Sequence, residues 1–226
     1  MDAAAEIQPF LIDGVGLWVE RRSAVNFENR PAVFLDRDGV LVEEVHFLAR
    51  PEDVQLTFGM GKAIAELNRL SIAVVVVTNQ SGVARGRLTW EAFARVQAEI
   101  NHQLASIAAT VDATFACGYH CEGEGPLAIA DHPWRKPASG MLQEAHRLLG
   151  VDLRRSLIIG DRLTDLEAGH GAGLLDGAIV RTGYGERDRK RLPEARERWR
   201  QGGFSARVAD NAAQAIQTWL AELATR

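Results

Sequence analysis

The stretch Val33-Phe34-Leu35-Asp36-Arg37-Asp38-Gly39-Val40 decides how this chain folds. An apolar run breaks off into two carboxylates spaced i and i+2, and a glycine follows at once. A short apolar run closed by a turn signal reads as a strand buried on both faces, so Asp36 and Asp38 sit where that strand leaves its sheet. In an open parallel sheet, that carboxyl end is where ligands bind. Two adjacent carboxylates repel each other and resist burial, and a divalent cation relieves both difficulties. By itself an Asp-x-Asp pair is more often an acidic turn than a site; the rest of the chain changes that balance.

Downstream, residues 40–58 show no sustained periodicity, and then Ile64, Leu67 and Leu70 recur at three-residue steps, which predicts a helix over about 61–70. Ile72-Ala73-Val74-Val75-Val76-Val77 is apolar throughout and mostly β-branched, so it predicts a second buried strand. It runs into a polar loop, Thr78-Asn79-Gln80-Ser81-Gly82. Thr89 is placed to cap the longest helix, reaching to about residue 107. Residues 112–117 read as a third strand, 118–134 as an ordered surface loop rich in Gly, Pro and His, and 139–149 as a helix stopped by Gly150. A fourth strand over 156–160 delivers Asp161 at its end. Helix 164–172, a fifth strand over 178–180 and helix 211–223 complete the chain. The charged run 186–200 reads as a solvated face. Strands alternating with helices imply an α/β fold, a doubly wound, Rossmann-like parallel sheet. One domain over 31–226 is expected, with residues 1–30 as an N-terminal extension packed on it. Within that extension, 17–20 reads as a short edge strand after the Asp13-Gly14-Val15-Gly16 turn.

The totals narrow the partners. With 226 residues and 46% hydrophobic content the chain can bury one good core. A net charge of -4 and a pI of about 5.9 leave no basic footprint for nucleic acid and no basic stripe for a membrane. A small-molecule partner is expected. Cys117 and Cys121 make no disulfide framework, Met1–Glu6 lacks the basic end and apolar stretch of a signal peptide, and the longest apolar run is too short to span a bilayer. These features predict a cytoplasmic protein, and without a heptad run a monomer is the default. Lysine occurs only at Lys62, Lys136 and Lys190, so a lysine near a strand end stands out.

Four groups fall at strand ends on one edge of such a sheet: Asp36 with Asp38, Thr78, Lys136 beside Arg135, and Asp161 with Asp165 one helical turn on. Right-handed crossovers bring these ends together. The residue types suit phosphoryl transfer, where catalysis is mostly positioning and neutralisation of charge. Asp36 can attack phosphorus while Asp38 handles protons. The turn after Thr78 can offer backbone N–H groups to an anion. Asp36, Asp161 and a backbone carbonyl near Asp38 supply the few hard oxygen ligands that Mg²⁺ prefers, with Asp165 orienting them from behind. Singly each feature reads more simply as a turn, a surface lysine or a helix cap; in this order, together, they do not.

At this point the sequence resembles the haloacid dehalogenase (HAD) superfamily. Asp36-Arg37-Asp38-Gly39 is similar to its first motif, Thr78-Asn79 to its second, Arg135-Lys136-Pro137 to its third and Gly160-Asp161-Arg162-Leu163-Thr164-Asp165 to its fourth. The likeness spans about residues 31–185. It implies a Mg²⁺-dependent phosphatase working through an aspartyl-phosphate on Asp36, with Asp38 as acid and then base. Within the superfamily, residues 78–86 and 135–141 resemble the heptose-1,7-bisphosphate 7-phosphatases and their relatives the histidinol-phosphatases. That resemblance implies that Thr78 and Lys136 steady the phosphoryl group, and that Arg135 contacts a small sugar phosphate. Asn79, Gln80, Ser81, Arg85 and Arg162 are carried over as substrate-binding residues. No cap insertion is evident, so the site should be open, with specificity set by loops 43–58, 82–88 and 118–135. The family's third loop typically holds zinc through two cysteine-containing pairs, but here those pairs read Cys117-Gly118-Tyr119 and His132-Pro133-Trp134. Cys117, His120, Cys121 and His132 could form a zinc site of different spacing, but a metal-free loop packed on Tyr119, Trp134 and residues 126–129 is expected. The competing reading from another class is a catalytically silent binding module, which retention of both Asp36 and Asp38 opposes.

Overall fold

The structure, a computed structural model, describes residues 7–225; the Met1–Glu6 start, read above as lacking a leader, lies outside the described residues. The strands are β1 (Leu17–Arg21), β2 (Ala32–Leu35), β3 (Ala73–Asn79), β4 (Ala113–Cys117), β5 (Leu157–Gly160), β6 (Asp176–Val180) and β7 (Ser205–Ala209). They form one sheet in the order β1-β4-β3-β2-β5-β6-β7, parallel except for the antiparallel β1–β4 pair. The helices are α1 (Met60–Arg69), the short turn α2 (Ser81–Ala84), α3 (Trp90–Ala105), α4 (Gly140–Leu149), α5 (Leu163–Ala172), the short α6 (Gly185–Asp188), α7 (Leu192–Trp199) and α8 (Ala212–Leu223).

Alternation along the strands divides the core in two. Val33, Leu35, Val74 and Val76 face α1, α3 and α8, where Ile64, Ile100 and Trp219 meet them. Phe34, Val75, Val77 and Phe115 face the other way, onto Met141 of α4, Leu166 of α5 and Trp199 of α7. The helix ends follow their chemistry: Thr89 Oγ1 accepts from the Ala92 N–H, and Asn211 Oδ1 from that of Gln214.

The strand order decides where a ligand can sit. After β2 the chain adds β3 and β4 on one side, then crosses back to place β5 on the other, so β2 stands at the switch point with Asp36 at its end. Helices leaving in opposite directions open a crevice there.

Three local readings change. The strand expected to stop at Val77 continues through Thr78 and Asn79, because β4 pairs with both, at Ala116 and Cys117. The Gln80 N–H then donates to Cys117 O at 2.7 Å and is no longer free for an anion. The run 186–200 is more than a solvated face: α7 buries Leu192, Ala195 and Trp199, an apolar stripe at helical spacing hidden among charges. β7 escaped the sequence reading because this edge strand carries no apolar run: only Ala206 and Ala209 are buried, on either side of Arg207 and the exposed Val208.

β1 does pair at the sheet edge. Trp18, 1% exposed, stacks on Phe10 at 4.8 Å and on Trp90 at 5.7 Å, with Phe93 edge-on at 5.2 Å. Among the described residues no helix is long and apolar enough to cross a membrane. Truncation of Trp18 to alanine should lower unfolding free energy by about 3–5 kcal/mol, the usual loss for a large buried aromatic. Urea titration followed by far-UV circular dichroism checks this; an unchanged midpoint would show that the aromatic cluster contributes nothing.

Candidate active site

All twelve residues singled out from the sequence line one cleft of about 340 Å³ at the carboxyl ends of the parallel strands. Asp36 leaves β2 with its N–H still bonded to Ile159 O, and Asp161 follows β5 directly. Lys136 comes from the connection between β4 and α4. Asn79 aligns it by a two-way backbone clamp, accepting from the Lys136 N–H at 3.0 Å and donating to Lys136 O at 2.9 Å.

The lysine side chain is wholly enclosed. Its ammonium donates to Val77 O at 2.7 Å and lies 3.0 Å from Asp36 Oδ1 and 2.5 Å from Asp165 Oδ1. Burial opposes its charge, but Asp165 and Asp36 outweigh that and hold the lysine pKa above its ordinary value. Asp165 works in two directions, since its other oxygen accepts from the Arg162 N–H at 3.0 Å and caps α5.

Carboxylate oxygens of Asp36, Asp161 and Asp165 lie within 4.8 Å of one another. Burial, followed by repulsion from Asp165 and Asp38, pushes Asp36 up to about 6 despite Lys136. Burial, followed by repulsion from Asp36 and Asp165, pushes Asp161 up to about 8 although the Tyr184 N–H donates to it at 2.7 Å. Three enclosed carboxylates against one ammonium leave negative charge uncompensated, and hard oxygen donors around such a deficit fit a divalent cation of the Mg²⁺ type. Gly39 allows the approach: its φ is +76°, and a Cβ there would come within 2.9 Å of both Asp161 Oδ2 and the Gly183 Cα.

Asp38 points elsewhere. Arg37, 1% exposed, grips it from Nε at 2.9 Å and Nη2 at 3.0 Å, and Gln80 Nε2 adds a third bond at 3.2 Å. The guanidinium of Arg37 lies 5.1 Å over the Phe93 ring, and Gln80 also donates to Thr78 Oγ1 at 2.9 Å. Sequence reasoning passed over Arg37. A cation between two carboxylates was the available hint, but only the packing of α3 shows that it is buried. Glu44, His46 and Tyr184 also line the cleft without having been singled out, and His120, weighed above only as a possible zinc ligand, lines it too. Glu44 is raised above the ordinary carboxylate range, first by burial and then by Asp38 and Asp36.

At the rim, Arg162 lies 4.0 Å over the Tyr184 ring, Arg135 Nη1 donates to Tyr119 O at 2.9 Å, and Arg85 pairs with Glu122 at 2.8 Å. Ser81 opens α2 beside them. In the neighbouring loop Cys117 is buried, and that burial pushes its thiol up to about 11. Cys121 is exposed. His120 and His132 each spend Nδ1 on a backbone N–H two residues on, and Trp134 tilts against Phe115 at 6.0 Å.

A family model described as HAD-hydrolase-like matches residues 133–199. A D-glycero-beta-D-manno-heptose-1,7-bisphosphate 7-phosphatase of Mesorhizobium japonicum is 49% identical over 166 residues, covering 73% of this chain and 76% of that protein. The chain belongs to the HAD-like hydrolase family. A crystal structure from Mesorhizobium loti, assigned as a HAD-like phosphatase, superposes with a TM-score of 0.79 at 41% identity, covering 93% of this chain and 94% of that one. The D,D-heptose 1,7-bisphosphate phosphatase of B. bronchiseptica, crystallised with magnesium and phosphate, gives a TM-score of 0.70 at 31% identity, covering 85% and 99%. This HAD-like chain is accordingly a phosphoric monoester hydrolase, and the silent-module reading is set aside.

Replacing Lys136 by methionine would leave the carboxylates facing one another without the ammonium. The expected loss is about 3–5 kcal/mol of stability, the range for breaking a buried ion pair on one side. Thermal melting of metal-free protein at pH 8 checks this, and an unshifted midpoint would show that the carboxylates are already neutralised by protons.

Proposed function

We propose that this phosphatase removes the 7-phosphate of D-glycero-D-manno-heptose 1,7-bisphosphate, with Mg²⁺, through a phosphoryl group carried on Asp36. The observation that carries the chemistry is the convergence, at the sheet's switch point, of Asp36, Lys136 and the Asp161–Asp165 pair in one cleft. The named relatives support the substrate, and the magnesium in the B. bronchiseptica crystal supports the metal.

In this reading an Asp36 carboxylate oxygen attacks phosphorus and the bond to the leaving oxygen breaks. Asp38 gives that oxygen its proton, then takes one from the water that attacks the acyl-phosphate, returning Asp36 and releasing inorganic phosphate. The grip of Arg37 and Gln80 sets where Asp38 presents its carboxyl group. Lys136 and Thr78 neutralise and orient the phosphoryl oxygens, Lys136 from a fixed place beside the nucleophile. Asp36 and Asp161, with the backbone carbonyl of Asp38 and with Asp165 behind them, would hold Mg²⁺, which supplies positive charge to the phosphoryl oxygens.

The rim favours a second anion over a cation. Among the described residues neither Arg135 nor Arg162 enters a salt bridge, so two guanidinium charges face the cleft without carboxylate partners. They suit the second phosphate of a bisphosphate and oppose the cationic amine of histidinol phosphate. Asn79, Gln80, Ser81 and Arg85 complete the proposed substrate wall.

Phosphate release with Mg²⁺ across heptose 1,7-bisphosphate, fructose 1,6-bisphosphate, histidinol phosphate and an aryl phosphate should rank the heptose bisphosphate first by kcat/KM; a better rate on histidinol phosphate would overturn the substrate. Asp36→Asn should abolish turnover of every compound, because an amide cannot carry the phosphoryl group, and near-wild-type release by that variant would remove Asp36 as nucleophile.

A further inference from the structure

The segment ahead of the parallel sheet reaches the cleft through one side chain. Asp13 Oδ1 accepts from the N–H groups of Val15, Gly16 and Leu17 at 3.1, 2.9 and 3.0 Å, closing a tight turn. Its other oxygen accepts the Tyr119 hydroxyl at 2.6 Å. The turn is seated on the loop after β4: the Gly118 N–H donates to Gly16 O at 2.8 Å, and Trp90 Nε1 donates to Val15 O at 2.8 Å. A Cβ on Gly16 would lie 2.5 Å from the Tyr119 ring, so turn and ring touch at a position that admits only glycine.

The same tyrosine reaches the cleft-lining Arg135 by its backbone. Its ring lies flat on His132, with centroids 4.2 Å apart and planes 9° apart, and the His132 carbonyl accepts from the Arg135 N–H at 2.9 Å. The Tyr119 carbonyl accepts from Arg135 Nη1 at 2.9 Å. Tyr119 therefore joins the 13–17 turn at its hydroxyl to the Arg135 guanidinium at its carbonyl. Burial works against charge on Asp13, but its bonds from Tyr119 and the turn hold it below the ordinary carboxylate range, so the hydroxyl donates to an ionised acceptor. Such bonds are short and strong enough to fix a side chain.

We propose that Asp13 and Tyr119 are positioning residues for substrate selection: the turn holds Tyr119, and Tyr119 holds Arg135 against the part of the substrate remote from the reacting phosphorus. The identity of that remote part, a second phosphate, rests on the function proposed above. Neither residue touches the reacting atoms, so the effect belongs to KM for a substrate that Arg135 grips and not to the chemical step.

The test is a double-mutant cycle on kcat and KM, with Mg²⁺, for heptose 1,7-bisphosphate and for 4-nitrophenyl phosphate. Tyr119→Phe keeps the ring and the His132 stack while deleting the bond to Asp13. It should raise KM for the bisphosphate about tenfold, a modest share of what misplacing a binding group can cost, with kcat and the aryl phosphate constants unchanged. Asp13→Ala should do the same, and Asp13→Asn, whose amide can still bond the hydroxyl, should fall between. Adding Tyr119→Phe to Arg135→Ala should change nothing further. The proposal is overturned if Tyr119→Phe leaves KM unchanged, raises it equally without Arg135, or slows both substrates alike alongside a lower melting temperature. Should Asp13→Ala fail to fold, Tyr119→Phe alone decides. If the wild type ignores heptose bisphosphate, the substrate reading fails by itself. The same cycle on the phosphate it prefers then decides the latch, for or against.

Discussion

The charge balance around Lys136 is the constraint on which the rest of this structure depends. Asp36, Asp161 and Asp165 bring their oxygens within 4.8 Å of one another, and one enclosed ammonium stands among them. Buried charge is tolerated only when paired and hydrogen-bonded. The fold meets that demand with backbone as well as side chains: Val77 O takes one ammonium proton, Asn79 clamps the lysine's own peptide groups, and the Tyr184 N–H reaches Asp161. Val77 and Asn79 come from the end of β3, and Tyr184 from the segment after β6. The parallel sheet is what lets segments more than a hundred residues apart meet in one small cleft, and its switch point beside β2 keeps the place open.

Around that centre the cleft is layered by charge. The floor is anionic with a single cation. Above it Arg37 holds Asp38 away from the floor carboxylates, which separates the group suited to proton transfer from the group suited to attack. The rim is cationic, through Arg135 and Arg162. A ligand with a phosphate remote from the floor would meet opposite charge at the rim. Loop 43–49 contributes an acidic group to the cleft lining, Glu44, and Phe47 there adopts a φ of 55° with its ring under Arg87 at 5.2 Å. Bulky residues rarely accept that conformation, so this loop is held by its packing and not by its own preference.

Second to the charge centre is the seam between the sheet edge and the loop after β4. β1, the Asp13 turn and the Trp18–Trp90–Phe93 cluster form one continuous patch with Tyr119. Aromatic packing and an ionised acceptor together give a surface loop the order normally found in a core.

The sequence by itself determined the centre of the sheet and the candidate site. Apolar runs such as Val33–Leu35 and Ala73–Val77 admit no environment except one buried on both faces, and the carboxylates that end them must then lie at the sheet's edge. All twelve chosen residues do line one cleft, because right-handed crossovers leave little freedom in where strand ends go. What the sequence left unsaid lies where local pattern and tertiary partner part company. α7 and β7 were hidden because each buries one narrow stripe among charges, a signal diluted by the exposed residues between. Which way Asp38 turns, that Arg37 is enclosed beneath Phe93, and that Asp13 bonds Tyr119 across 106 residues were decided by tertiary structure alone. Periodicity reports which face of an element is apolar; the partner of a single polar group depends on distances between elements, and those exist only once the chain has packed.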